Sequence, residues 1–152
     1  MYRNILLAYD GTREGALALR EGALLAKTCG AKVVLLCVVP TPAGLAAAEG
    51  TYESAADKQF AGYKDLLQQG VVWLKQRGID CVAKIATGEP APIIGKIARE
   101  SEADLVVVGH HRRTFLARWW SGSTNAYLSD NLHCSLLMAS NPLGDDPFEA
   151  DD

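Results

Sequence analysis

One loop of this sequence combines the residue types that bind phosphate. Gly109 ends an apolar run, and thirteen residues later the tripeptide Gly122–Thr124 stands where a helix can begin. A glycine lets the backbone approach an anion closely, and a helix N-terminus offers N–H groups and the positive end of its dipole. The loop also holds three arginines that can neutralise phosphate charge, Arg112, Arg113 and Arg118. This pattern predicts a phosphate site.

The same spacing also fits a structural explanation that involves no ligand. Gly109 would then end a strand, Gly122 and Ser123 would cap a helix, and the arginines would face solvent. A similar choice applies to Asp10, which follows the first apolar run: its carboxylate could contact a ligand or cap the next helix. The spacing alone leaves both interpretations open.

The elements that position these residues alternate between strand and helix. Short apolar runs predict five strands, at residues 5–9, 32–39, 79–86, 105–109 and 135–139. Helical periodicity predicts four helices: 13–29 with Thr12 as N-cap and Gly30 as its stop, one ending near Arg77, one from Pro90 to about Ser101, and one capped by Ser123 or Thr124 that ends at Leu132. This order predicts one doubly wound, Rossmann-like α/β domain with a parallel sheet and helices on both faces.

Composition and charge narrow the classes of function. The chain has 152 residues, 49% hydrophobic and 22% charged, as expected of one globular domain. Its formal charge is −3, but residues 141–152 hold five acids and no base, which leaves about +2 for the rest. That positive charge is too small for the electrostatic attraction that nucleic-acid-binding proteins need. No apolar run approaches the ~20 residues that a membrane-spanning helix needs. We expect a cytoplasmic protein in which 141–152 form an acidic, disordered tail.

Several motifs in order resemble the universal stress protein family over residues 1–140. The matching segments are 5–12 (ILLAYDGT), 88–90 (GEP), 103–109 (ADLVVVG), 122–123 (GS) and 134–139 (CSLLMA). The resemblance implies a five-stranded α/β fold, a homodimer and, in one branch, ATP bound by Gly-x2-Gly-x9-Gly-(Ser/Thr). This chain keeps the spacing but has Arg112 at the second glycine. Its side chain would either block the phosphates or clamp them.

The resemblance also implies roles for single residues. Asp10 would accept from the ribose or base, Val39 would offer backbone groups to adenine, and Gly122 would help to hold the phosphates. The full set of implied nucleotide-binding residues is Ala8, Asp10, Val39, Val108, Gly109, His110, Arg112, Gly122, Ser123 and Thr124. The implied ligand is ATP or another adenine nucleotide, with or without Mg²⁺.

Three functions follow as hypotheses. The first is a dimeric regulatory protein that binds adenine nucleotide in the stress response, and the second is a scaffold of the same fold without nucleotide. The third is a slow ATPase, which we rank last because no nucleophile–base pair is apparent in the sequence. No catalytic residue and no metal site are expected, since the four cysteines and three histidines lack zinc spacing. The last strand, Leu136-Leu137-Met138-Ala139, is the expected dimer edge.

Overall fold

Five parallel strands form one sheet in the order β3-β2-β1-β4-β5. In this computed structural model the described residues are 1–40, 51–109 and 122–140, with the side chains of 51–56 and 122–125 excepted. The strands are β1 (Asn4–Ala8), β2 (Lys32–Val39), β3 (Cys81–Thr87), β4 (Leu105–Gly109) and β5 (Ser135–Ala139). The chain builds outward from β1 through β2 to β3, then crosses to β4 on the other side of β1. This reversal confirms the doubly wound fold.

Four helices cover the sheet: α1 (Arg13–Cys29), α2 (Thr51–Gln76), α3 (Pro90–Glu100) and α4 (Gly122–Asn131). Helix α1 packs on β1, β4 and β5, α2 packs on β2 and β3, and α3 contacts both β2 and α4. Because right-handed crossovers in opposite directions use opposite faces, α1 and α2 share one face and α3 and α4 the other. Within the described ranges, every helix is too short or too polar to cross a lipid bilayer.

Helix α1 has the bounds that the sequence predicts, and its ends show why. The Thr12 hydroxyl oxygen accepts a hydrogen bond from the Gly15 N–H at 3.0 Å, which caps the helix start. Gly30 adopts a left-handed conformation (φ 64°) at the other end, and its N–H donates to the Ala26 carbonyl. Between these caps, one stripe of small and apolar side chains is buried against the sheet.

Several predicted boundaries need correction. Strand β1 is Asn4–Ala8 where 5–9 was predicted. Strand β3 begins at Cys81, because Ile79 belongs to the end of α2: its N–H donates to the Leu74 carbonyl at 3.0 Å, across Gly78 at φ 77°. This closing turn buries Ile79 to 8% exposure, so its apolar character reflects helix packing. Helix α4 begins at Gly122 and ends at Asn131, so Ser123 lies in its first turn instead of preceding it.

The predicted Pro40–Gly50 loop falls mostly outside the described residues, as do the arginine loop at 110–121 and the acidic segment 141–152.

The end of β4 lies against the first turn of α1. A β-carbon added at Gly109 would stand 2.5 Å from the carbonyl carbon and oxygen of Glu14 and 2.8 Å from the nitrogen of Gly15. Backbone atoms cannot rotate away as a side chain can, so only glycine allows helix and strand to approach this closely. Gly109 is therefore required for the fold, whatever else it does.

Replacing Gly109 with alanine should lower the free energy of unfolding by at least the ~1–3 kcal/mol typical of an overpacked site. Gly95→Ala is the matched control, since nothing lies within 4 Å of an added β-carbon in the interior of α3. The free energy of unfolding of this control should rise by about 0.5–1 kcal/mol, because alanine has a higher helix propensity than glycine. Urea unfolding of both variants measures the difference, and equal stabilities would contradict the packing.

Candidate functional site

The carboxyl ends of β1 and β4 lie side by side at the point where the strand order reverses. Leu7 and Val107 form the last pair between β1 and β4. Just beyond that pair, Asp10 follows the end of β1 and Gly109 is the last residue of β4. Open parallel sheets bind ligands in the crevice at this position, because the two crossovers leave it uncovered. The topology therefore brings together two residues that are ninety-nine positions apart in the sequence.

Asp10 is the only charged residue that is buried among the described residues, with 2% of its surface exposed. Its Oδ1 accepts hydrogen bonds from the N–H of Thr12 at 3.0 Å and from the hydroxyl of Thr12 at 2.5 Å. Thr12 in turn caps α1, so the carboxylate fixes the residue that starts the helix. The sequence left open a role for Asp10 in capping the next helix, and the structure confirms it through these two hydrogen bonds to Oδ1.

Gly15 completes this arrangement and was not singled out from the sequence. A β-carbon at Gly15 would overlap Oδ1 of Asp10, so the glycine lets the first turn of α1 lie on the carboxylate. The only sequence signal was a glycine three residues after a threonine N-cap, which is too common to distinguish. The distance to Asp10 exists only in the folded chain.

The thiol of Cys37 lies within the electrostatic influence of Asp10. Burial raises the pKa of Cys37 to about 12, and the negative charge of Asp10 adds to the increase. A thiol with this pKa stays protonated at neutral pH and is not a nucleophile. Cys37 is therefore a packing residue beside the candidate site.

The apolar residues predicted for the site are buried near the carboxyl ends of their strands. Ala8 and Val108 are 4% and 1% exposed at the ends of neighbouring strands. Val39 ends β2 at the same edge, and its carbonyl accepts a hydrogen bond from the Gly88 N–H at 2.9 Å. Because that carbonyl already accepts one hydrogen bond within the protein, Val39 has less hydrogen-bonding capacity left for an adenine base.

The predicted phosphate-binding residues are described only in part. Helix α4 begins at Gly122, so Ser123 and Thr124 lie in its first turn. Because α4 leads into the parallel strand β5, its N-terminus lies toward the carboxyl edge of the sheet. His110 and Arg112 lie outside the described residues.

Comparison with known proteins gives a family match and similar structures. A sequence model described as the universal stress protein family matches residues 1–140. Universal stress protein MJ0531 of Methanocaldococcus jannaschii is 27% identical, covering 93% of this chain and 84% of its own. The structure of universal stress protein UspA from Lactobacillus plantarum has a TM-score of 0.78 at 25% identity, covering 91% of this chain and 98% of that one.

Some similar structures hold adenine nucleotides. A universal stress protein family member from Arabidopsis thaliana with AMP bound has a TM-score of 0.66 at 18% identity, with 99% of each chain covered. A universal stress protein from Archaeoglobus fulgidus in complex with dAMP has a TM-score of 0.59 at 20% identity, covering 91% of this chain and 98% of that one. At these identities the likeness shows the shared fold.

The Asp10–Thr12 capping arrangement leads to a stability prediction. Thr12→Val removes the hydroxyl that caps α1 and should lower the free energy of unfolding by about 1 kcal/mol. Thr28→Val is the matched control, because its exposed hydroxyl only donates to the Leu24 carbonyl within the same helix. That control should change stability by less than about 0.5 kcal/mol. Thermal and urea unfolding measure both, and equal losses would contradict the capping role.

Proposed function

We propose that this chain, which belongs to the universal stress protein family, binds an adenine nucleotide at the carboxyl edge of its sheet. The protein then acts in the cytoplasm as a regulatory module whose nucleotide-bound state is recognised by partners. The observation that carries the proposal is the meeting of Asp10 and Gly109 at the reversal point between β1 and β4. Similar folds that hold AMP and dAMP give it independent support.

The chemistry of this edge suits the two halves of a nucleotide. Apolar Ala8 and Val108 provide a floor for the nucleoside. The Asp10 carboxylate accepts hydrogen bonds from the ribose hydroxyls or from the adenine amino group. The first turn of α4, with Gly122, supplies N–H groups and a positive dipole end to the phosphates. Ser123 and Thr124 add hydroxyl donors there. The ligand is ATP or another adenine nucleotide, and Mg²⁺ would accompany a polyphosphate.

Arg112 decides which phosphates are accepted. It occupies the place of the second glycine in the family's ATP-binding spacing. An arginine guanidinium can hold a phosphate through bidentate hydrogen bonds. A side chain in place of glycine also takes up space, so we propose that AMP is accepted at least as well as ATP.

Gly122→Asp tests the phosphate end of the site. An aspartate in the first turn stabilises the helix through its dipole, yet it places negative charge where phosphates must bind. We expect ATP affinity to fall at least tenfold by isothermal titration calorimetry, which corresponds to about 1.4 kcal/mol.

Gly122→Asn is the matched control, because it has nearly the same size without the charge. It should lose much less affinity than Gly122→Asp, and AMP should be affected less than ATP. Equal losses in both variants would contradict the phosphate assignment. A wild-type protein that gives no heat with millimolar AMP or ATP would contradict nucleotide binding and favour the scaffold.

We also propose that two copies pair through β5. This strand is at one end of the sheet, with Met138 37% exposed and Leu136 and Leu137 partly buried. The Ser135 N–H donates a hydrogen bond to the backbone carbonyl of Asp104, next to β4, at 3.3 Å. Since backbone groups alternate in direction along a strand, those of Leu136 and Met138 face the open edge. An apolar edge with outward backbone groups favours pairing with a second copy.

Met138→Lys tests this edge. A two-fold axis brings each β5 strand against its own copy, so the variant places like charges close together and weakens the dimer. Light scattering after size exclusion should change from twice the 16.3 kDa chain mass to the monomer. Met138→Leu should stay dimeric. A wild-type monomer, or a lysine variant that remains dimeric, would contradict pairing through β5.

A further inference from the structure

A groove between α1 and α2 lies apart from the candidate nucleotide site. Its cavity of about 430 Å³ is lined by Arg20 and Lys27 of α1, by Trp73 of α2, and by Arg77 just beyond α2. These residues lie from the middle to the end of α1 and at the end of α2. Helices on this sheet run opposite to the strands, so the groove lies toward the edge away from Asp10.

The charged side chains that line the groove are basic. Arg20, Lys27 and Arg77 line it, and none of the described residues that line it is acidic. Two other cavities of the described residues have fewer basic side chains or also have acidic ones. One beside β4 and β5 combines Arg99 with Glu102 and Asp104, and one beside β2 and β3 has only Lys32 and Lys84.

The groove also offers apolar surface. The Arg77 guanidinium lies 3.9 Å from the centre of the Trp73 ring, so a cation and an aromatic face stand together. Leu24 is 58% exposed on the α1 side. Trp73 also lines a second cavity of about 370 Å³, together with Tyr9 and Val72. An occupant should therefore combine negative charge with apolar side chains.

We infer that this groove binds the chain's own acidic segment, residues 141–152. The segment holds five acids and no base, with Leu143 and Phe148 as apolar residues among them. Three cations beside exposed apolar surface match that composition in both charge and character. The family match covers residues 1–140 and does not include this segment.

The segment is long enough to reach the groove. Its first residues follow β5, which contacts α1 directly. Twelve extended residues span up to about 40 Å, whereas the 17 residues of α1 measure only about 26 Å. The segment can therefore run along α1 to the far end of the groove. Bound there, it covers the cations and competes with any acidic partner for them.

Carbodiimide cross-linking of the full chain tests this contact, because it joins lysine amines to carboxylates that touch them. We expect Lys27 to be joined to residues 145–152 at least fivefold more often than Lys32 or Lys96, which are also exposed. Raising salt to about 1 M, where screening acts within about 3 Å, should remove the preference. Peptide mass spectrometry measures the yields.

Substitutions in the segment keep the test independent of domain folding. Leu143→Ser with Phe148→Ser should reduce the Lys27 yield severalfold, whereas Lys32→Gln with Lys84→Gln should leave it unchanged. Cross-links spread evenly over the lysines, or concentrated at Lys32 and Lys84, would overturn the proposal. Mixing ¹⁵N-labelled and unlabelled protein adds a further check: products that join the two would assign the groove to a second copy and overturn binding within one chain. Nucleotide titration is a separate measurement, so either proposal can fail alone.

Discussion

Close backbone packing between the first turn of α1 and the end of β4 sets the geometry of the carboxyl edge. Gly109 permits the approach from the strand, since a methyl group there would meet the backbone of Glu14. Gly15 permits it from the helix, where a β-carbon would overlap the Asp10 carboxylate. With no side chain between them, helix and strand hold the end of β1 in one position. The buried carboxylate of Asp10 can be placed reproducibly only because of this contact.

The same residues therefore serve the fold and the proposed site. Asp10 holds Thr12, which caps the start of α1, and it also lies at the edge of the sheet where open parallel sheets bind ligands. A carboxylate already held by the protein keeps its orientation without a ligand, so binding would cost less conformational entropy. The presence of aspartate and glycine here is explained by packing alone. Their position at the reversal of strand order is the reason for proposing that they also bind a ligand.

The sequence predicted elements well where local signals define them. The bounds of α1 follow from Thr12 and Gly30, whose side-chain chemistry and backbone freedom act within a few residues. The predicted start of β3 was wrong because Ile79 is buried by the closing turn of α2. An apolar residue in a sequence indicates burial, but it does not indicate which element buries it. For the site, the sequence predicted which residues follow or end the strands. The reason for Gly109 and the nearness of Cys37 to Asp10 depend on distances between remote segments, which no local pattern contains.

Backbone amide NMR during titration with AMP tests the central claim most directly, because it locates binding without altering a residue. Chemical shifts should move at Asp10 and Gly109, on the carboxyl edge. They should stay unchanged at Asn4 and Asp104, which are joined by a hydrogen bond at the opposite edge. Shifts confined to the opposite edge, or no shifts at saturating AMP, would contradict a nucleotide site between β1 and β4.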